Sequence, residues 1–350
     1  MSEVIPATLD EAVELSDRHA YFEQRIFMAS PLGTFGTSLA IFLLFAGTYA
    51  LLTLALHDPL IAGDAHGGVF IPDGTRAALI LSLLIAVALG IQRYARLADR
   101  ADIASFPPIL RNGAMSARHF AMLSPMRARL RLATAAGAVL GLGLSLIFIP
   151  RHHAAEWPWF VVVCVLVTMM FTRGVELTRA GSEGAGRFIQ DELKIDLLRI
   201  DQLSVIGRSA ARTALIWFAV SAVVCLFFVE NTPTLYTIVL LIACAGMGAG
   251  IFVRTMDLAH RKILSVKRDE LNRVRTEINI LRHTAHADTD AALKLQGLLA
   301  YEARIQAVHE WPFDQTTLMR LTASSLILAA PLAGRIAGNF VLDHFGTLLQ

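Results

Sequence analysis

The sequence predicts an all-α fold, a polytopic helical membrane protein, and three observations carry that prediction. Hydrophobic residues fill 55% of 350 positions while charged residues fill 17%, and mean hydropathy is +0.55. A water-soluble domain of that composition would expose too much apolar surface. Six apolar runs approach the roughly 20 residues that a helix needs to cross a bilayer core, and none of the six holds an Asp, Glu, Lys, Arg or His. Lastly, the charges that do occur are sorted by side. The net charge of +2 hides this, because position matters more than sum.

The first 34 residues are acidic, the reverse of a signal-peptide start, so no cleaved signal is expected. Ala12, Leu15, His19, Phe22 and Ile26 recur at spacings of three and four, with Thr8 and Glu11 as a capping box. The reading is an amphipathic helix over 1–34 that packs on cytoplasmic loops. Its polar face is acidic, which disfavours a membrane surface.

The membrane domain, 35–253, holds the runs Phe35–Leu56, Ala77–Ile91, Leu132–Pro150, Trp157–Thr172, Thr213–Val229 and Thr234–Val253. The second is short, and Arg76 and Arg93 bracket it as snorkelling ends. Connecting segments 93–131, 173–212 and 254–320 carry 8, 7 and 11 Lys and Arg residues, whereas 57–76, 150–156 and 230–233 carry 1, 1 and 0. Positive loops stay in the cytoplasm. The expectation is therefore three transmembrane hairpins with short outer turns, an N-terminus inside, and cytoplasmic loops 93–131 and 173–212. Trp157, Trp159 and Tyr236 at one edge, and Trp217 at the other, fit interfacial belts.

After the second, fourth and sixth runs come Arg93 with Leu97, Arg173 with Leu177 and Arg254 with Leu258, each followed by Ala or Thr. This shared Arg-x-x-x-Leu pattern predicts that each even-numbered helix continues inward by a turn or two; chance or an internal triplication would both produce it. From 254 to 314, Leu264, Leu271 and Ile278 lie seven apart, interleaved with Val274 and Leu281. The pattern breaks over Thr284–Asp290 and resumes at Leu298, Tyr301, Ile305 and Val308. That predicts a cytoplasmic coiled-coil hairpin. Lys267, Arg268, Arg273 and Arg275 flank the seam as a solvated face; no recognition motif accompanies them, so no nucleic-acid partner is expected.

Segment 315–350 contains an apolar stretch, Leu321–Leu342, long enough to cross but interrupted by Pro331 and carrying Arg335 and Asn339 one turn apart. Arginine at the bilayer centre costs about 2.5–3.5 kcal/mol on insertion scales, so Arg335 must face protein, water or headgroups. Two readings stay open, a seventh span packed through Gly334 and Gly338, or a segment lying along the cytoplasmic interface.

Chemistry-bearing motifs are few. Cys164, Cys225 and Cys244 sit in apolar runs and support neither a disulfide framework nor a zinc site. His283, His286, Asp288 and Asp290 could hold a divalent cation, but a turn capped by Asp288 or Asp290 accounts for them. His57, Asp58, Asp64 and His66 could meet His152, His153 and Glu156 in an outer metal site if the first two hairpins adjoin; loop polarity alone also explains them. Gly181, Gly184 and Gly186 lack the Lys-Ser/Thr and the preceding strand of a phosphate loop. No hydrolase, zincin or kinase signature is present, so no catalytic residue, cofactor or metal is expected. Gly137 and Gly141, extended by Ala133, and Gly246 and Gly250 make small-xxx-small faces, for internal packing or for a homo-oligomer.

The segments Asp196–Leu203 and Tyr301–Asp314, the latter containing Trp311-Pro312-Phe313-Asp314, resemble those of uncharacterised bacterial multi-span inner-membrane proteins. The likeness covers roughly the C-terminal half. It implies a bacterial inner-membrane location and no particular activity. Pro312 should end the preceding helix, with Asp314 capping the next. Charge-free spans disfavour ion-coupled transport, which needs intramembrane ionisable groups. The expectation is a non-enzymatic scaffolding or regulatory protein whose cytoplasmic helices bind themselves or a protein partner. The rivals are a channel or transporter, marked by a continuous polar cavity, and a lipid-modifying enzyme, marked by a His, Asp or Glu cluster at the interface.

Overall fold

The computed structural model describes residues 22–63, 69–103, 127–148, 156–193, 195–199, 203–228, 235–283, 289–311 and 319. Nearly all are helical: α1 (Phe22–Ala29), α2 (Gly33–Ala55), α3 (Asp73–Ile103), α4 (Arg127–Phe148), α5 (Trp157–Arg187), α6 (Ser204–Cys225), α7 (Leu235–Arg282) and α8 (Thr289–Gln306). Between α2 and α3, β1 (Ala62–Gly63) pairs antiparallel with β2 (Val69–Phe70) over two residues. The fold is all-α, and six helices, α2 to α7, are long and apolar enough to cross a membrane. This is a multi-pass membrane protein.

The described part of each apolar run lies almost wholly in one of these six helices, but several helices outrun their apolar part. The predicted turn or two beyond each even-numbered run is too short. α3 continues to Ile103, α5 to Arg187 and on through a π-helical turn at Phe188–Glu192, and α7 to Arg282. At 1.5 Å per residue the 48 residues of α7 span about 72 Å, more than twice a ~30 Å hydrocarbon core. The cause lies in the sequence after Val253, which keeps an apolar stripe through Met256, Ala259, Ile263 and Val274 and contains no Gly or Pro before Arg282. α6 likewise begins before its run, burying Val205, Ile206, Ala210 and Ala211.

Sequence neighbours pack most extensively: α4 on α5, then α6 on α7, then α2 on α3; α3 also touches α5 and α6. Within the apolar slab, Ile80, Leu84 and Ile85 of α3 meet Val163 and Val167 of α5 and Val223 and Val224 of α6. Past the apolar runs a second core joins Phe188, Ile189 and Leu193 to Leu203, Ile206, Ala259 and Ile263. A third joins Leu197 to Val274 and Ile305, and Ile195 packs against both of these cores. Buried hydroxyls of Thr53, Ser82, Ser145, Thr168 and Ser221 donate to carbonyls three or four residues back on their own helices. That satisfies them without water.

At the N-terminal end, Ala12, Leu15, His19 and the Thr8 and Glu11 cap lie outside the described residues. Within α1 the predicted inward face is off by one position: Phe27 is buried while Ile26 is exposed. Gly33, at φ +68°, makes the turn from α1 into α2, a conformation that a side chain would strain. Thr37 then donates to Gly33 O (2.6 Å) and pairs with the Ser30 hydroxyl (2.7 Å).

Candidate functional site

The tightest helix contact is built on glycine. A Cβ at Gly137 would stand 2.7 Å from Met169 Cα and 2.8 Å from Thr168 O, and one at Gly141 would stand 2.7 Å from Val165 Cα and 3.0 Å from Cys164 O. Only hydrogen fits there. The approach lets Thr172 Oγ1 donate to Ala133 O at 2.8 Å and Arg173 to Thr134 Oγ1 at 3.3 Å, so Ala133 shares the face. Gly246 and Gly250, with the same spacing on α7, meet nothing within 4 Å.

Trp217 is a second wedge. Sequence placed it in an interfacial belt, but it is 5% exposed, with a glycine of each of two neighbouring helices beside it. A Cβ on Gly174 of α5 would stand 3.6 Å from the ring, which meets Phe171 edge to face, while the Trp217 Cβ lies 3.0 Å from where a Cβ on Gly248 of α7 would sit. Its indole N–H donates to Thr178 Oγ1 at 3.2 Å.

Where α2, α3 and α5 meet near the short β pair, the chain buries a carboxylate. Glu156 is 8% exposed and the Tyr49 ring 3%. The Tyr49 hydroxyl bonds to Glu156 and Thr75. Both polar groups close on Gly74, where a Cβ would lie 3.0 Å from Glu156 Oε2 and 3.0 Å from the Tyr49 hydroxyl. Trp159 meets the Tyr49 ring edge-on at 5.0 Å and donates to Thr48 Oγ1 at 3.2 Å. Among the described residues Glu156 pairs with no Lys or Arg. Instead its carboxylate lies beside the first turn of α3, and the residue itself caps α5, accepting backbone bonds from Trp159 and Phe160. Helix N-termini favour a negative charge by about 0.3–1 kcal/mol each and oppose a cation, so the arrangement suits a structural lock between three helices better than a metal site.

Beyond the apolar runs, polar side chains fasten the helix extensions together. Arg212 of α6 and Asp102 of α3 form a 2.7 Å ion pair with both side chains 15% exposed. Lys267 of α7 donates to Gln306 O (3.0 Å), Val308 O (3.1 Å) and Glu310 Oε1 (3.1 Å), closing the carbonyl end of α8. Trp311 stacks on His260 at 4.2 Å, and His260 Nδ1 lies 2.9 Å from Glu310 O. The residue before Pro312 is thus clasped to α7. Burial, then the charge of Glu270, pushes the Tyr301 hydroxyl above the usual tyrosine pKa. Trp311 also walls a groove of about 660 Å³ shared with Gly250, Val253, Arg254, Asp257 and Arg261.

Of the predicted seam residues, Leu271, Val274, Ile278, Leu298, Tyr301 and Ile305 come together in one apolar core while Leu264, Leu281 and Val308 are not part of it, and Leu197, Ile195 and Val266 join it though the predicted period did not mark them. The two candidate metal clusters lie largely outside the described residues. His57 and Asp58 are exposed, and Asp64, His66, His152 and His153 lie outside the described residues, as do His286, Asp288, Gly334, Arg335, Gly338 and Asn339. His283 is exposed, and Asp290 lies inside the first turn of α8. No group of three metal-competent side chains occurs among the described residues. Gly181, Gly184 and Gly186 lie within helix α5. All three cysteines are free. The Tyr49–Glu156 pairing escaped sequence reasoning, and its one signal was a tyrosine near the end of an apolar run with a glycine at the next helix start.

No protein-family model matches the chain, and neither a curated protein nor a solved structure matches it.

Proposed function

We propose that this chain is a non-enzymatic scaffolding or regulatory protein of the bacterial inner membrane, acting through a cytoplasmic helical hairpin that binds itself or a protein partner. The observation that supports it best is the continuity of α7, one 48-residue helix that runs from the apolar slab into the core shared with α8. A last span that continues without a break into an arm makes a rigid mount for a binding element. In this reading the six spans form three hairpins, the N-terminus and the arm lie inside as the basic loops require, and α7 with α8 forms an antiparallel coiled coil. The segment Leu321–Leu342 is then a seventh span, shielding Arg335 against protein.

The described spans add weight against a pore, since their buried hydroxyls donate to their own helices and the one buried carboxylate at their ends is locked by Tyr49. The test is affinity purification of the full chain from native membranes, with and without Leu271→Asp and Ile278→Asp. A partner, or a second tagged copy, should co-elute with the native chain and be lost with the seam variant while the spans stay folded. Specific solute flux in proteoliposomes, or recovery indifferent to the seam, would overturn the reading.

A further inference from the structure

α8 carries the chain back along α7 to the edge of the apolar run. There Lys267 holds Val308 O and the Glu310 carboxylate, and Trp311 stacks on His260 at 4.2 Å. His260 comes seven residues after Val253, about 10 Å along the helix. Trp311 walls a groove of about 660 Å³ that Gly250 and Val253 also line, so the chain leaves the described structure at the mouth of that groove. Residues 312–350, Met319 excepted, lie outside the described residues, and they contain the apolar stretch Leu321–Leu342.

The groove opens onto a face of α7 that is uncovered among the described residues. Cys244 is fully buried, and a Cβ on Gly248 would lie 3.1 Å from Ala214 O of α6. On the other side Ile242, Gly246, Gly250 and Val253 are exposed.

Three constraints select the occupant. Residues 312–320 form a nine-residue tether from Trp311, which reaches about 30 Å at most. A tether that short makes the contact intramolecular, at an effective concentration in the millimolar range. Next, Arg335 and Asn339 lie one turn apart in the stretch, and a span carrying such a pair must turn it toward protein or water. Lastly, the two apolar boundaries coincide: Arg254 closes the run of α7 and Arg320 opens the stretch. With both arginines at the membrane boundary, an antiparallel pairing sets Ser324 level with Gly250 and Leu328 level with Gly246. Ala323, Ser324 and Ser325 are small, so the two backbones can approach closely beside Gly250.

We propose that Leu321–Leu342 seats along this face of α7 as an antiparallel helix, entering over the groove behind Trp311. The inference rests on the seventh span of the proposed function and adds where that span lies; the hairpin seam plays no part in it.

The test is disulfide formation in native membranes, using the full chain with its three cysteines replaced by alanine. Gly246→Cys is paired with single cysteines scanned through 325–331. Bonds should form within one chain, recur every three or four positions and be strongest near Leu328. They should be at least tenfold more efficient than with Val139→Cys, which is 74% exposed on α4 and equally far, seven residues, from the inner end of its own run. Thr347→Cys should react with a membrane-impermeant thiol reagent in intact cells. Size-exclusion profiles identify any variant that fails to fold, and Gly250→Cys scanned against 321–327 then stands in. If Thr347→Cys reacts but no bond to α7 forms, or Val139→Cys captures the stretch instead, the seat is overturned and the span stands. An unreactive Thr347→Cys overturns both. A Gly246→Cys bond between two chains gives the face to a second copy and overturns the proposal.

Discussion

Replacing Gly141 with alanine tests the idea that glycine sets the close contact between α4 and α5. The added methyl would meet the Thr168 hydroxyl, stand 2.7 Å from Val165 Cα and stand 3.0 Å from Cys164 O, whereas carbon atoms rest at about 3.5–4.0 Å. Two of these partners are backbone, which no rotamer change removes, so α4 must retreat from α5 by close to 1 Å. Overpacking of this kind costs about 1–3 kcal/mol. The retreat also stretches the Thr172 to Ala133 bond, now 2.8 Å; such bonds average about 0.6 kcal/mol in a bilayer. Alanine returns up to about 1 kcal/mol through helix propensity, and the right reference is therefore Gly143→Ala on the same helix, where nothing lies within 4 Å. The difference between the two variants isolates the clash, at about 2–3 kcal/mol, or roughly 30- to 150-fold in the unfolding equilibrium. A thiol-reactive dye melt reads it through Cys164, Cys225 and Cys244, all free. Gly141→Ala should melt well below Gly143→Ala, and coincident curves would refute the argument.

Other outcomes follow from the same geometry. Lys267→Met leaves the part-buried Gln306 and Val308 carbonyls without their donor, at about 0.5–1.5 kcal/mol for each hydrogen bond lost, so hydrogen exchange or protease cleavage at 306–311 should rise; unchanged protection would mean that the ammonium is not the clasp. Cysteines at Arg187 and His283 should resist a membrane-impermeant thiol reagent in intact cells while one at Ile61 reacts, and labelling of the first two from outside would reverse the proposed orientation. Because burial and Glu270 raise the Tyr301 pKa, its neutral form is favoured by folding. That stability is complete below the ordinary tyrosine pKa of about 10 and is lost as pH rises through the folded value. Absorbance titration of native chain against Tyr301→Phe should place this hydroxyl above an ordinary tyrosine, and Glu270→Gln should bring it down.

The spans were readable because lipid imposes one rule on every residue of a run: a charge-free stretch long enough to cross must be helix. Where each helix ends was not, since beyond the slab α5 and α7 are held by Ile195, Leu197, Leu203 and Ile206, contacts that no short-range period encodes. The heptad at Leu271, Val274 and Ile278 pointed to the right partners on α8, but not to Leu197, which comes from a segment with no periodicity of its own. Glycine spacing alone could not say that Gly137 and Gly141 are filled while Gly246 and Gly250 meet nothing among the described residues. That depends on which helix lies alongside. Trp217 shows the same limit, for an aromatic at the end of an apolar run reads as an interface anchor unless one knows that Gly174 and Gly248 lie opposite it.

If the spans and the arm work together, α7 must transmit displacement rather than absorb it. No Gly or Pro interrupts it after Gly250, Ile263 and Val274 anchor it in successive cores, and Lys267 and His260 clasp the returning chain to its side. A stiff rod of about 44 Å from Val253 to Arg282, taken at 1.5 Å per residue, would move its tip by about 4 Å for a 5° tilt at the membrane. A hinge would dissipate that movement. Spin labels at Val253 and His283, in chains diluted with unlabelled protein, should give one narrow distance distribution near 45 Å. Ser265 is exposed and lies midway, so Ser265→Pro removes an interior hydrogen bond and kinks the helix while sparing both cores. It should broaden or shorten the distribution. A broad distribution in the native chain, or one that the proline leaves unchanged, would show that the arm is flexibly attached and that the membrane domain cannot steer it.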